Sequence, residues 1–388
     1  MTRLLLVGSV LAAALVLAGA AGAGPIPVIP DEPGLSAGYL GFCKQKTGKQ
    51  EWNCYLDNLL RIVLASKNPA VKLPELDALV DQSGGYLEAN CHMMMHVVGR
   101  TYAIKHHVTL DTLLQYLPRS NNPGCSAGFG MGLVMGLGPQ LLSGGVKGAA
   151  AICNRAPTRF RQYTCFHALG HAFMRLDVGY LVLALPACRE LGRQAPDCAQ
   201  GAFHDYWLGL SGQDGAKHTH GQPRTARVLC AQQHGVYVIA CWYRYYLTLP
   251  PKRMPSSAHA IDALCIGLTG VQREGCIASA SLISSSDPAT QFGICTHLAA
   301  GDVDSCLRAV GVQNLPDDLQ TQVKFINRCA AVVASARAGC YRWFGTGFAV
   351  ITNGRFGKNG CSRLSSASAR AECLDGARRM DDPLVTFA

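Results

Sequence analysis

Charge is scarce in this chain, with Asp, Glu, Lys and Arg together making 15% of its 388 residues. Together with abundant Gly, that fits closely packed apolar helices more than a charged, highly solvated protein. The β-branched alternation that strands require is also nearly missing, which points away from a sheet. There is no G-x-S-x-G and no Gly-rich phosphate loop, so neither an α/β-hydrolase nucleophile nor a P-loop is present. No nucleic-acid motif occurs.

What the chain has first is an export signal. Arg3 precedes an apolar core over residues 4–17, and Ala18-Gly19-Ala20 and Ala21-Gly22-Ala23 offer small-x-small cleavage sites. The apolar core is short for a membrane span of about 20 residues. Residues 1–23 therefore read as a cleaved signal peptide. Residues 24–35 form an extended Pro-rich linker containing Pro25, Pro27, Pro30 and Pro33. Residues 126–146 are apolar as well, but their glycines and Pro139 argue against a membrane helix. The expected mature chain is secreted, periplasmic or extracellular, with no transmembrane helix.

Eighteen cysteines in an exported chain imply disulfides. Their spacing pairs them locally: Cys43 with Cys54, Cys153 with Cys165, Cys188 with Cys198, Cys230 with Cys241, Cys265 with Cys276, Cys295 with Cys306, Cys329 with Cys340, and Cys361 with Cys373. Cys91 and Cys125 remain for each other. An apolar stretch runs into each first cysteine, a polar stretch follows, and the second cysteine opens another apolar stretch. The expected unit is a helix ending near one cysteine and another starting near the next, which brings their Cα atoms within disulfide reach. From Cys153 onward the first members recur with a period near 35 residues, as helix-turn-helix arrays do. The predicted fold is all-α: a disulfide-stapled α/α hairpin repeat array over residues 36–380, elongated or curved, with a short tail at 381–388. Each closed loop contributes roughly 2–3 kcal/mol in the chain-entropy model.

A longer duplication spans residues 91–220. Cys91-His92 and His96 match Cys165, His167 and His171, and Cys125, Gly128 and Met131 match Cys198, Gly201 and His204. HxxxH places two imidazoles on one helix face, one turn apart, where they can share a metal ion. Met93-Met94-Met95 and Ala168-Leu169-Gly170 fill the two gaps without a Glu, so neither is the HExxH of a zinc protease. With cysteines oxidised, the candidate metal ligands are His92, His96, His167, His171 and His204. Asp205 is the best compensating carboxylate, and Asp177 and Glu88 are weaker ones. Met93, Met94, Met95, Met131, Met135 and Met174 also lie in the duplicated region. Imidazole with thioether suits copper and imidazole alone suits zinc, so both ions are candidates. Three consecutive methionines cannot all face one ion, and some must fill core. His171, His204 and Asp205 are the candidate catalytic residues, through metal-activated water or direct acid/base chemistry. The same histidines could instead lock neighbouring hairpins through hydrogen bonds.

The remaining histidines are weaker signals. His218 and His220 sit in a polar loop, and His106 and His107 look solvent-facing. His234 and His297 lie beside hairpin cysteines, where packing is the expected role. Trp242-Tyr243-Arg244-Tyr245-Tyr246 reads equally as an aromatic binding patch or as a face packed on the next hairpin. Losing Arg3 takes the formal charge from +10 to +9, and the excess gathers late. Such a surface favours an acidic cell-surface polymer as partner, although a solvated face explains it too.

The runs Cys91-His92-x-x-x-His96-x-x-Gly99-Arg100 and Cys165-x-His167-x-x-Gly170-His171 resemble motifs of uncharacterised exported microbial proteins rich in Cys and His. That resemblance covers roughly residues 91–245 and implies no activity. Two expectations stand: a secreted metal-binding protein whose site could serve a metalloenzyme, or a non-catalytic extracellular scaffold or interaction protein.

Overall fold

The computed structural model describes residues 40–118, 124–176, 180–211, 225–246, 253–285, 287–311 and 318–381. The expected signal peptide and linker, tail residues 382–388, Asp177, His218 and His220 lie outside them. The chain divides after Leu35, and the second unit, from Ser36, is the one described.

Among the described residues there is no strand. The helices are, in chain order, α1 (Gly48–Leu64), α2 (Pro69–Ser83), α3 (Gly85–Lys105), α4 (Leu113–Tyr116), α5 (Cys125–Gly136), α6 (Gly138–Asn154), α7 (Arg159–Leu176), α8 (Leu181–Arg189), α9 (Ala195–Ser211) and α10 (Ala226–Leu229). They continue with α11 (Val236–Tyr245), α12 (Ala258–Cys265), α13 (Gly270–Leu282), α14 (Pro288–Thr296), α15 (Ala300–Val310), α16 (Leu319–Ile326), α17 (Ala334–Ile351), α18 (Arg355–Asn359) and α19 (Ala367–Arg378). Polar residues set several starts: Ser257, Asp287, Asp318 and Ser366 each accept a backbone N–H from the first turn.

The odd-numbered helices form one continuous row, each packed on the next, and the even-numbered ones cover that row from outside. The mid-row helices α5, α7 and α9 are buried nearly all round. Every residue of α5 from Cys125 to Met135 is buried, which explains why this stretch is apolar without being a membrane segment. No described helix is long and apolar enough to cross a membrane. Val350 of α17 packs against Ala127 of α5 and Phe160 of α7, so the far end of the row returns to its middle.

All nine expected disulfides are present, with Cα–Cα separations of 5.1 Å for Cys91–Cys125 to 5.8 Å for Cys265–Cys276. These lie within the 4.4–6.8 Å that bridge geometry requires. The structure refines where the second cysteine stands: Cys125 opens α5, whereas Cys165 is the seventh residue of α7, and Cys276, Cys306, Cys340 and Cys373 hold the seventh position of theirs. In those helices the first turns are supplied by residues that lie between the paired cysteines.

Glycine decides how closely the inner helices approach. A Cβ built on Gly201 of α9 would overlap the carbonyl oxygen of His167 of α7 and lie 2.8 Å from its carbonyl carbon. Gly128 of α5 stands in the same relation to His92 of α3, at 2.9 Å. A third pair, which the sequence reading missed, repeats the contact: Gly376 of α19 on Arg342 of α17, again at 2.8 Å. In each pair the glycine follows its cysteine by three positions. Contacts this short exclude any side chain between the helices.

Candidate metal centre

The glycine contacts place the imidazoles. On α7 the i,i+4 ridge carries Tyr163, His167, His171 and Arg175, and on α3 the matching ridge carries His92, His96 and Arg100. Because α9 lies almost against α7 at Gly201, His204, one turn further along, reaches the same face. The five expected histidines meet in one cluster. His96, His167, His171 and His204 are buried, and His92 is half-buried at its edge.

Three of them converge. His167, His171 and His204 present ring nitrogens that all lie within 4.8 Å of one another. His167 Nε2 is 3.2 Å from His171 Nε2 and 3.4 Å from His204 Nδ1. Zn–N bonds of 2.0–2.1 Å in a tetrahedron put ligand nitrogens about 3.3 Å apart, and the two closest separations match that edge. His92 and His96 form a second pair, with Nε2 atoms 3.2 Å apart. They stand outside the three-nitrogen set, although the His96 ring centroid is 5.1 Å from that of His171.

The proton positions follow from the partners. Asp205, wholly buried, lies 3.2 Å from His171 Nδ1. Nδ1 donates to that carboxylate, so Nε2 keeps its lone pair and points it at His167. A carboxylate behind a histidine is the usual outer support of a metal ligand. His92 is held likewise, its Nδ1 donating to the Gly124 carbonyl at 3.1 Å. His167 is different: its Nδ1 is buried without a hydrogen-bond partner. If His167 carries its proton on Nδ1, a donor is buried unmet and two Nε2 lone pairs face each other. With the proton on Nε2, the Nδ1 lone pair stays unmet. A cation among the three rings turns the first arrangement from repulsion into coordination.

Electrostatics keep the rings neutral. Burial pushes His167 and His204 well below the ordinary imidazole range, and the Arg244 guanidinium adds to it. Burial does the same to His96, with His92 next in importance. His171 is lowered too, mainly by burial, while Asp205 pulls it back. Neutral imidazole is the metal-binding form.

Several neighbours escaped the sequence reading. Arg175 lies 3.1 Å from Asp205 Oδ1. Behind His167, Arg244 donates to the Tyr163 hydroxyl at 2.7 Å and to Gln200 Oε1 at 3.3 Å, and burial raises the Tyr163 phenol to about 12. Arg159 and Asp197 form a buried pair at 2.9 Å. The i,i+4 continuation from His167 and His171 to Tyr163 and Arg175 was a usable signal. Arg244 had none.

Other expectations change. Glu88 is exposed and takes no part. His106 is half-buried, stacked on Tyr102 with ring centroids 4.1 Å apart, and bonded to the Leu64 carbonyl. Only His107 faces solvent as expected. His234 and His297 are exposed rather than packed, because they sit just beyond the outer helices, where the chain turns. Trp242, Tyr243 and Tyr246 are buried against the next hairpin, which settles that run as packing. Met94, Met95 and Met174 are wholly buried core residues. No protein-family model, no curated protein and no solved structure matches this chain.

Proposed function

We propose that this is an exported protein that binds one transition-metal ion, zinc first, through His167, His171 and His204. The observation that carries this is the convergence of three neutral ring nitrogens, two of whose separations match a tetrahedral edge, with Asp205 fixing the tautomer of His171. Nine disulfides support a working place outside the reducing cytoplasm. Three protein ligands leave a fourth position open, the pattern of catalytic rather than structural zinc. A zinc ion held there would supply a bound water of lowered pKa, about 7 in catalytic zinc sites. His92 and His96 then line the way from solvent to the ion.

The competing reading, histidines that merely lock the array, is weakened by the third helix pair. There Arg342 and Thr346 hold the positions of His167 and His171 relative to the cysteine, Arg379 holds that of His204, and the glycine contact is unchanged. The packing does not need imidazole. The test is metal analysis of protein made in an oxidising compartment. About one zinc per chain is expected, lost in His167→Ala, with affinity reduced about 10- to 100-fold in Asp205→Asn. Copper instead would keep the site and change its chemistry to electron transfer. No metal, with a lowered melting temperature in both variants, would make the histidines structural.

A further inference from the structure

The three-imidazole site leaves a second histidine pair unused. His92 and His96 stand on α3 as His167 and His171 stand on α7, with Nε2 atoms 3.2 Å apart in both pairs. That spacing lets two imidazoles share one ion. His92 Nδ1 donates to the Gly124 carbonyl at 3.1 Å, so its Nε2 turns a lone pair toward His96. His96 Nε2 donates to that lone pair, or joins it as a second ligand when the His96 proton sits on Nδ1.

What completes the pair lies on α5. Gly128 meets the His92 carbonyl as Gly201 meets that of His167, a Cβ on each standing 2.9 Å and 2.8 Å from the carbonyl carbon. Equal approach gives equal reach. His204, three residues after Gly201, comes within 3.4 Å of His167 Nε2. Met131, three residues after Gly128, is carried to the matching place beside His92. A second observation puts thioether on that side of α5. Met135, one turn beyond Met131 on the same ridge, lines a cavity of about 390 Å³ together with His96. Both methionines are buried.

This set differs from the three-imidazole one in two ways. A thioether replaces the third imidazole, and Gly132 stands where Asp205 stands in the other copy. The thioether favours the soft ion Cu(I). A ligand set without a carboxylate also suits one positive charge better than two, since uncompensated charge is costly away from water. We propose that His92, His96 and Met131 form a second metal site, for one Cu(I) ion, reached through the cavity that His96 and Met135 line. It shares no ligand with the first site and does not rest on the zinc reading.

The experiment is anaerobic titration of the full folded chain, disulfides intact, with Cu(I) buffered by the chelator bicinchoninate. All eighteen cysteines are bridged, so no thiol competes. Zinc-loaded protein is expected to take up one Cu(I) and keep its zinc, and metal-free His167→Ala to take up one as well. Met131→Leu, which conserves core volume, should weaken Cu(I) binding at least about 10-fold, the lower end of what disturbed ligation costs. It should also remove copper–sulfur scattering from the X-ray absorption spectrum, with zinc content unchanged. Met94→Leu, on the opposite face of α3, should alter neither. Copper that displaces zinc, copper lost from a still helical His167→Ala, scattering from nitrogen alone, or an affinity unmoved in Met131→Leu would each overturn the proposal. If the chain takes up no zinc while His167→Ala holds one copper on sulfur, the zinc reading fails and this site stands.

Discussion

Replacing Gly201 by alanine adds one methyl group at the place where α7 and α9 touch. The new Cβ would stand 2.8 Å from the His167 carbonyl carbon, against an ordinary carbon–carbon contact of about 3.5–4.0 Å. Backbone meets the methyl, so no side chain can swing aside, and the helices must part by about 1 Å. Overpacking of this kind costs typically 1–3 kcal/mol. The same movement takes the His204–His167 nitrogen separation from 3.4 Å to well beyond the edge that one ion can bridge. Gly376→Ala is the matched control, because its Cβ would meet the Arg342 carbonyl carbon at the same 2.8 Å, between two helices that contain no histidine. Both variants should therefore lose similar stability in urea titrations with disulfides intact. Only Gly201→Ala should bind zinc at least about 10-fold more weakly, taking as yardstick what disturbed ligand support costs. Unchanged stability in Gly201→Ala would show that the close helix contact is not what sets the packing. Equal loss of zinc in both variants would show that metal affinity follows global stability and not this local geometry.

Two further outcomes follow from the same geometry. Burial lowers the folded-state pKa of His96, His167 and His204, so on acidification the unfolded chain takes up protons first. Stability of the metal-free protein should be complete above about pH 6.5 and fall as the pH drops below it, whereas a urea midpoint that stays flat from pH 7.5 to 5 would contradict the neutral, buried assignment. Transplanting the site tests sufficiency: Arg342→His, Thr346→His, Arg379→His and Met380→Asp together should raise zinc uptake from about one to about two ions per chain, and a folded variant that stays at one would show that the glycine contact alone does not create the geometry.

Much of the architecture was legible because it is local. Disulfide partners 10 to 12 residues apart announce themselves through spacing, and HxxxH reports one helix face wherever the helix lies. The duplication further told which imidazoles occupy equivalent places. What could not be read is which side chains reach past an intervening helix. Arg244 reaches Tyr163 across 81 residues, and no period in the chain relates the two. His106 was misread for a similar reason. Its partners, Tyr102 on its own helix and the Leu64 carbonyl at the end of α1, make a half-buried contact that a run of polar neighbours conceals. The third glycine pair was present in the sequence and overlooked, because without histidines nothing drew attention to Cys340 and Cys373 as more than hairpin cysteines.

That overlooked pair separates two demands that coincide elsewhere. At α7 and α9, glycine and histidine occur together, and either could be the reason for the other. At α17 and α19 the glycine contact persists, while Arg342 and Arg379 stand where imidazoles would. Close packing is therefore the prior requirement in a physical sense: it is what the array needs, and it leaves the positions beside the glycine contact chemically free. In the first pair Met131 holds the position that His204 holds in the second, so the α3 pair has two imidazoles and no third. One backbone solution thus carries three, two or no ring nitrogens at the same places. The pair with three also has the buried carboxylate, Asp205, set one residue beyond His204. A purely structural histidine network gives no reason for the carboxylate and the third imidazole to appear in the same copy, whereas a metal ion that needs both ligand number and ligand orientation does.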